Sequence, residues 1–141
     1  MEEKIIELLK THKQDVSDLT IDLIERTGNN KAAIVRTKNT TFFVKNYFNS
    51  SLDNRDRFNS EFSFFEYTKE CAPSFIPKIY GFDKENKIIL FENILGSSLQ
   101  SDDLNPEIIS IAASFFSLLN KLEFKFSFGK KINDAAEACF S

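Results

Sequence analysis

One lysine and one glutamate occur where their side chains could work together. Lys45 lies in the middle of a run of strand-forming residues, and Glu61 follows sixteen residues later in a helix-like segment. Side chains alternate between the two faces of a strand, so Phe43 and Tyr47 share the face of Lys45. An ammonium group on a covered aromatic face needs a partner. Glu61 lies three residues after Phe58, on the apolar side of its helix, and is expected to be that partner.

The elements that must position this pair follow from hydrophobic periodicity and turn residues. Helices are predicted over residues 2–12, from the polar segment 49–56 to about 71, and over 106–122. Strands are predicted at residues 20–26, 32–37, 41–48, 76–82 and 87–93. Asp53 is the best N-cap for the second helix, and Asn105 with Pro106 starts the third. The short connections 27–31 and 38–40 consist of turn-forming residues, which favours antiparallel hairpins.

The order of elements is helix, three strands, helix, two strands, helix. Five mostly antiparallel strands with a helix after the third strand predict an α+β fold. The 141 residues are enough for one domain with a core. Beyond the last helix the pattern leaves two interpretations open. Phe124, Phe126 and Phe128 alternate as in a strand, and they equally suit docking onto a surface that this chain lacks.

Composition argues against several kinds of partner and site. The formal net charge of −3 disfavours a nucleic-acid-binding surface. The two cysteines, Cys71 and Cys139, have no His or Cys at ligand spacing, so zinc is not expected; two reduced thiols are the plainer interpretation, with a disulfide left open. No apolar run is long enough to span a membrane, and the charged start is no signal peptide. We expect a cytoplasmic protein.

The order of elements, together with Lys45, Glu61 and the segment 90–96, resembles the N-terminal lobe of the aminoglycoside phosphotransferase family. This protein-kinase-like group phosphorylates small molecules such as aminoglycosides, choline and homoserine. The resemblance extends over nearly the whole chain, and the matching stretches are residues 28–31, 43–48, 55–61, 76–80 and 90–96. The resemblance implies a protein-kinase-like N-terminal lobe over residues 1–95. Residues 96–141 would then be the hinge, a linker helix and the truncated start of a C-terminal lobe.

The resemblance also implies which residues bind the phosphates of ATP. Lys45 would contact the α- and β-phosphates, since an ammonium is a compact point charge, and Glu61 would hold it in place. Backbone N–H groups of a loop of small or polar residues would approach the phosphate oxygens. That loop would consist of Gly28, Asn29, Asn30 and Lys31.

The adenine base would be bound at the end of the last predicted strand. The backbone C=O of Glu92 and the N–H of Ile94 would bind the adenine edge, with Phe91 behind the base. The apolar slot around the base has four candidates, and strand register decides which of them face it. These are Ile34, Phe43, Ile79 and Leu90.

The catalytic part of the family's site has no counterpart here. The family's second lobe carries a His-Gly-Asp segment, an Asn five residues after that Asp, and a later metal-binding Asp. The only histidine of this chain is His12, near its start. We therefore expect no catalytic residue and no metal ligand in this chain, with Mg²⁺ held by the missing lobe. A truncated product, an excised domain or an incomplete reading frame would explain such a sequence.

The expected function is the ATP-binding lobe of a small-molecule kinase that transfers the γ-phosphoryl group to a substrate hydroxyl, not catalytic alone. Its partners would be a nucleotide and a small-molecule hydroxyl acceptor, with no nucleic acid and no membrane. The alternative is a stand-alone, non-catalytic α+β interaction module, and a third possibility is a lobe of a protein kinase or a fructosamine kinase. Taken alone, Lys45 also fits an edge-strand lysine that limits aggregation. Asp102 and Asp103 fit helix capping better than metal binding.

Overall fold

The computed structural model describes residues 1–24, 30–48 and 55–120. The helices are α1 (Glu2–Thr11), α2 (Arg57–Cys71) and α3 (Pro106–Leu119). The strands are β1 (Thr20–Ile24), β2 (Asn30–Arg36), β3 (Thr41–Tyr47), β4 (Ile79–Asp83) and β5 (Ile88–Glu92). The predicted α+β class, with five strands and a helix after the third, is confirmed for the described chain.

The bounds of β4 and β5 differ from the predicted ones for reasons of backbone chemistry. The strand predicted from residue 76 begins only at Ile79, because Pro77 has no N–H to donate to a ladder. β5 starts at Ile88, because Lys87 has a φ of 55°, in the left-handed region that strands exclude. Other predicted features lie outside the described residues: Gly28, Asn29, Asp53 and residues 121–141.

The five strands form one sheet in the order β1-β2-β3-β5-β4, and all four pairings are antiparallel. β3 is the central strand. Lys45, at its middle, pairs with Ala32 of β2 on one side and Ile89 of β5 on the other. The interpretation of Lys45 as an edge-strand lysine is therefore wrong, because both edges of β3 are already paired.

Helix α1 covers the face of the sheet that Lys45 does not use. Its apolar stripe, at the three- and four-residue spacing of a helix, packs on alternate residues of β2, β3 and β5. This α1-face core comprises Ile5, Leu8, Leu9, Ala33, Val35, Phe42, Val44, Ile88 and Leu90. All nine are buried, so removal of their apolar surface from water is a main stabilising term for the sheet.

The end of α1 forms a Schellman motif with a lysine at the position that usually holds glycine. The Gln14 N–H donates to the Leu9 carbonyl at 2.8 Å, and the Lys13 N–H donates to the Lys10 carbonyl at 3.0 Å. Closing these two bonds requires a left-handed residue, and Lys13 has a φ of 56°. A side chain with a Cβ is strained in that conformation, whereas glycine is not.

Substituting Lys13→Gly is therefore expected to raise the free energy of unfolding by about 0.5–1 kcal/mol. Lys10→Gly is the matched control, because the same change inside the helix should lower that free energy by about 1 kcal/mol. Urea denaturation followed by circular dichroism measures both. A Lys13→Gly variant less stable than the original chain would contradict the strain argument.

The turn between β4 and β5 is closed by one carboxylate and tied to the central strand. Asp83 accepts hydrogen bonds from the Asn86 backbone N–H at 2.9 Å and from its Nδ2 at 2.7 Å. These bonds to the ionised form hold the pKa of Asp83 below its usual value. The Asn46 Nδ2 of β3 donates to the Asn86 carbonyl at 2.9 Å, which fixes the turn against β3.

The chain divides into two compact units. The first consists of the described residues of Met1–Phe58 and Pro77–Leu95, and the second of Asn59–Ile76 and the described residues from Gly96 onward. The first unit holds the whole sheet, α1 and the start of α2. The second holds the rest of α2 and all of α3.

Helix α3 starts as predicted but buries none of its residues. The Asn105 side chain accepts a hydrogen bond from the Ile108 N–H at 3.0 Å, which confirms Asn105 as the cap. Within the second unit, the Tyr67 hydroxyl donates to the carbonyl of Leu119, the last residue of the helix. Large apolar side chains of this unit that are half or more exposed are Leu99, Leu104, Ile109, Ile111 and Phe116. In the described part of the chain, no helix has the length and apolar character needed to cross a bilayer.

Candidate functional site

Lys45 lies on the sheet face opposite α1 and is half-buried. Its Nζ lies 5.7 Å from the centroid of the Tyr47 ring, on the same face of β3. An ammonium is a compact positive charge, so at this position it could bind a phosphate or carboxylate group.

Strand register decides which apolar candidates share the face of Lys45. Phe43 pairs with Ile34 of β2 and with Phe91 of β5. Phe91 in turn pairs with Ile79 of β4. Residues directly opposite each other point to the same face, so these four side chains form an apolar row beside Lys45. A flat apolar ligand group could lie along this row.

Leu90, the fourth candidate for the slot, lies on the other face. It pairs with Val44, and both side chains are fully buried in the α1-face core. Since successive side chains of a strand point to opposite faces, Leu90 cannot contact a ligand beside Lys45. The prediction that Leu90 lines the slot is therefore wrong, and Leu90 is a core residue.

The segment predicted to bind the adenine edge spans the end of β5. The Phe91 ring is 2% exposed and lies 6.5 Å from that of Phe43. The Glu92 N–H donates to the Lys78 carbonyl at 2.7 Å, and its carboxylate accepts from the Lys78 N–H at 3.1 Å. These two bonds fasten the end of β5 to the residue just before β4. Ile94 follows the strand, with a side chain that is 65% exposed.

Asn30 is the first residue of β2 and pairs with Tyr47. Its Oδ1 is buried and accepts no hydrogen bond from the described residues. An amide oxygen only accepts, as does an ionised phosphate oxygen, so this atom suits a hydroxyl or amine group of a ligand. The amide N–H groups are the part of Asn30 that could bind phosphate. Asn29 lies outside the described residues, and Lys31 is exposed.

Glu61 lies on α2 and is half-buried. It belongs to the second compact unit, whereas Lys45 belongs to the first. The pairing of Glu61 with Lys45 stays a prediction.

Tyr47 was not among the site residues predicted from the sequence. It is 3% exposed, and its ring packs edge to face against Phe58 at 5.8 Å and 83°. Phe58 lies in the first turn of α2. The signal was present in the sequence, because Tyr47 follows Lys45 by two residues and so shares its face.

The acidic pair before α3 forms a turn. The Asp103 carboxylate accepts a hydrogen bond from the Gln100 N–H at 2.7 Å, so it closes the 3₁₀ turn at Ser101–Asp103, as the capping interpretation predicts. Among the described residues, no three His, Cys, Asp or Glu side chains come together to hold a metal ion.

No protein-family model, no curated protein and no solved structure matches this chain. The placement of Lys45 on the central strand, between an apolar row and Tyr47, is therefore the main guide to function.

Proposed function

We propose that this chain is the nucleotide-binding lobe of an ATP-dependent small-molecule kinase. The lobe, residues 1–95, would be of the protein-kinase-like type. The parent enzyme would transfer the γ-phosphoryl group of ATP to a hydroxyl of a small molecule. The observation that carries this proposal is the position of Lys45: half-buried, in the middle of the central strand, on the face that α1 leaves free.

Lys45 would bind the α- and β-phosphates of ATP. Its ammonium is a compact point charge, which suits the phosphate oxygens. Glu61, on the helix that follows β3, would pair with Lys45 and hold it in place. The amide N–H groups of Asn30, at the start of β2, would add uncharged donors, together with Asn29.

The adenine base would lie along the apolar row beside Lys45. Ile34, Phe43 and Ile79 would contact its faces, with Phe91 behind it. The carbonyl of Glu92 and the N–H of Ile94 would bind its edge, as backbone groups after the last strand can do. Backbone donors and acceptors fix the orientation of a base that apolar side chains alone would leave free to slide.

Phosphoryl transfer itself would need residues from a second lobe. A kinase needs a metal-held triphosphate and a positioned acceptor hydroxyl as well as a phosphate clamp. Binding and orientation of the nucleotide are the steps that this lobe would perform. Residues 96–141 would be the hinge, the linker helix α3 and the start of the lobe that supplies the base and the metal ligands.

Titration of the chain with MgATP in a calorimeter tests the proposal. We expect saturable binding, and Lys45→Ala should weaken it about tenfold, since a hydrogen bond to a charged group is lost. Lys10→Ala is the matched control: it removes the same charge from the exposed side of α1 and should leave the affinity unchanged. Equal affinities of the Lys45→Ala and original chains would exclude the proposed phosphate site.

The alternative is a stand-alone interaction module, in which residues 96–120 would supply a binding surface. Five large apolar side chains of residues 96–120 are half or more exposed. Apolar side chains exposed together often mark a surface that binds another protein. The MgATP titration separates the two functions, because a non-catalytic module without a nucleotide site would show no binding that depends on Lys45.

A further inference from the structure

The aromatic ring of Tyr47 lies close to the ammonium group of Lys45. The Lys45 Nζ is 5.7 Å from the centroid of the Tyr47 ring, within the range over which an ammonium is attracted to an aromatic face. The two residues are two positions apart on β3, so the strand itself places both side chains on one face. The conformation of the strand therefore brings the two side chains together.

The Tyr47 ring is buried, and its strand is fixed at this position. Tyr47 is 3% exposed, and the edge-to-face contact with Phe58 fixes its tilt. Its backbone N–H donates to the Lys87 carbonyl at 2.9 Å, beside the turn that Asn46 fastens to β3. A ring that is fixed by packing can hold a flexible four-carbon side chain in one part of its range.

From this geometry we infer that Tyr47 is a positioning residue for Lys45: its ring keeps the ammonium pointed along the face where the triphosphate would bind. The inference rests on the proposed function. An aromatic face attracts the ammonium without neutralising its charge, so the ammonium can still bind a phosphate. Part of the conformational entropy of Lys45 is lost on folding, so less is lost on binding.

The test compares three side chains at position 47 in the full chain, with MgATP and inorganic tripolyphosphate as ligands. Tyr47→Phe keeps the ring and should bind both ligands as the original does. Tyr47→Leu keeps apolar bulk but removes the aromatic face, and should weaken both by about three- to tenfold. Tripolyphosphate is included because it has no adenine base. Weaker binding of tripolyphosphate therefore reports on the phosphate contacts of Lys45 alone.

A spectroscopic signature separates positioning from general stability. In chain labelled with ¹³C-lysine, the Lys45 Cε–Hε signal, assigned by its absence in Lys45→Ala, should be shifted upfield by the Tyr47 ring current. The shift should persist in Tyr47→Phe and disappear in Tyr47→Leu. If Tyr47→Leu does not fold, ring-fluorinated phenylalanine at position 47 replaces it, because fluorines weaken the attraction of the ring for a cation with little change of shape. Affinity should then fall stepwise with fluorine number.

The outcomes distinguish this inference from the function on which it rests. Binding that depends on Lys45 but is unchanged in the Leu and fluorinated variants would overturn the role of Tyr47 and leave the nucleotide site standing. A ring-current shift with no Lys45-dependent binding of either ligand would overturn the proposed function, and with it the role of Tyr47 in binding. Parallel losses of affinity and of the shift would support both.

Discussion

Replacing Phe42 with alanine is expected to lower the free energy of unfolding by about 3–5 kcal/mol. Phe42 is fully buried in the α1-face core, on the central strand, and its ring packs edge to face on Tyr80 at 5.2 Å. The substitution removes its apolar area and leaves a cavity between the sheet and α1 that rigid neighbours fill only partly. Urea denaturation followed by far-ultraviolet circular dichroism measures the change.

Phe48→Ala is the control for this prediction. Phe48 follows β3 directly and is 41% exposed, so its truncation should lower stability by about 1 kcal/mol or less. The contrast tests the two-sided arrangement of β3, since Phe42 and Phe48 differ in burial and not in type. A loss at position 42 as small as that at 48 would mean that α1 does not cover this face.

Gly81→Ala is expected to destabilise the protein by about 1–3 kcal/mol. Gly81 lies in β4, and a Cβ added there would approach three atoms of the His12 ring at 2.4, 2.6 and 2.8 Å. The His12 ring would have to turn away from its contact with Phe82, or the end of α1 would have to shift. The clash would disturb the packing of α1 on β4. Urea denaturation measures the resulting loss in the free energy of unfolding.

A second substitution identifies the cause. In a His12→Ala background the ring is gone, so Gly81→Ala should cost much less, with a coupling free energy of about 1–2 kcal/mol. Gly96→Ala is the matched control, because no atom lies within 4 Å of a Cβ placed there. Equal costs of Gly81→Ala with and without His12 would locate the effect in the strand backbone instead of the ring.

Helix and strand types followed from the sequence because each short element satisfies its own local requirements. The apolar stripe of α1, the Asn105 cap and the turn residues between β2 and β3 are local signals, and all correspond to observed elements. The two 3₁₀ turns, Pro73–Phe75 and Ser101–Asp103, were missed. Turns of three residues leave no periodicity in a sequence.

The face assignments needed the three-dimensional register. Residues 88–91 of β5 are all apolar and all buried, so nothing in the sequence shows that Leu90 faces α1 while Ile89 faces the Lys45 side. Lys45 itself could be placed on a strand but not in the centre of the sheet, because strand order depends on a pairing between distant segments. Tyr47 could have been identified by its spacing from Lys45, whereas its contact with Phe58 could not.

The strand order has a consequence for how the protein folds. β1, β2 and β3 adjoin in sequence and in the sheet, as do β4 and β5, so hairpins can form within microseconds. Among the described strands, only the β3–β5 pairing joins distant segments; Asn46 and Asn86, which hydrogen-bond beside it, are 40 residues apart. Closing that long loop is expected to limit the folding rate.

Packing of α1 depends on that slow step, because α1 packs on strands from both sides of the long loop. One group of strands is β1 to β3, and the other is β4 and β5. Phe42 and Val44 come from one group, and Ile88 and Leu90 from the other. On the ribosome, α1 is synthesised before every strand that it packs on, so its packing surface is incomplete until β5 has been synthesised. Until then its apolar stripe and the phenylalanines of β3 stay open to chaperones and to other nascent chains.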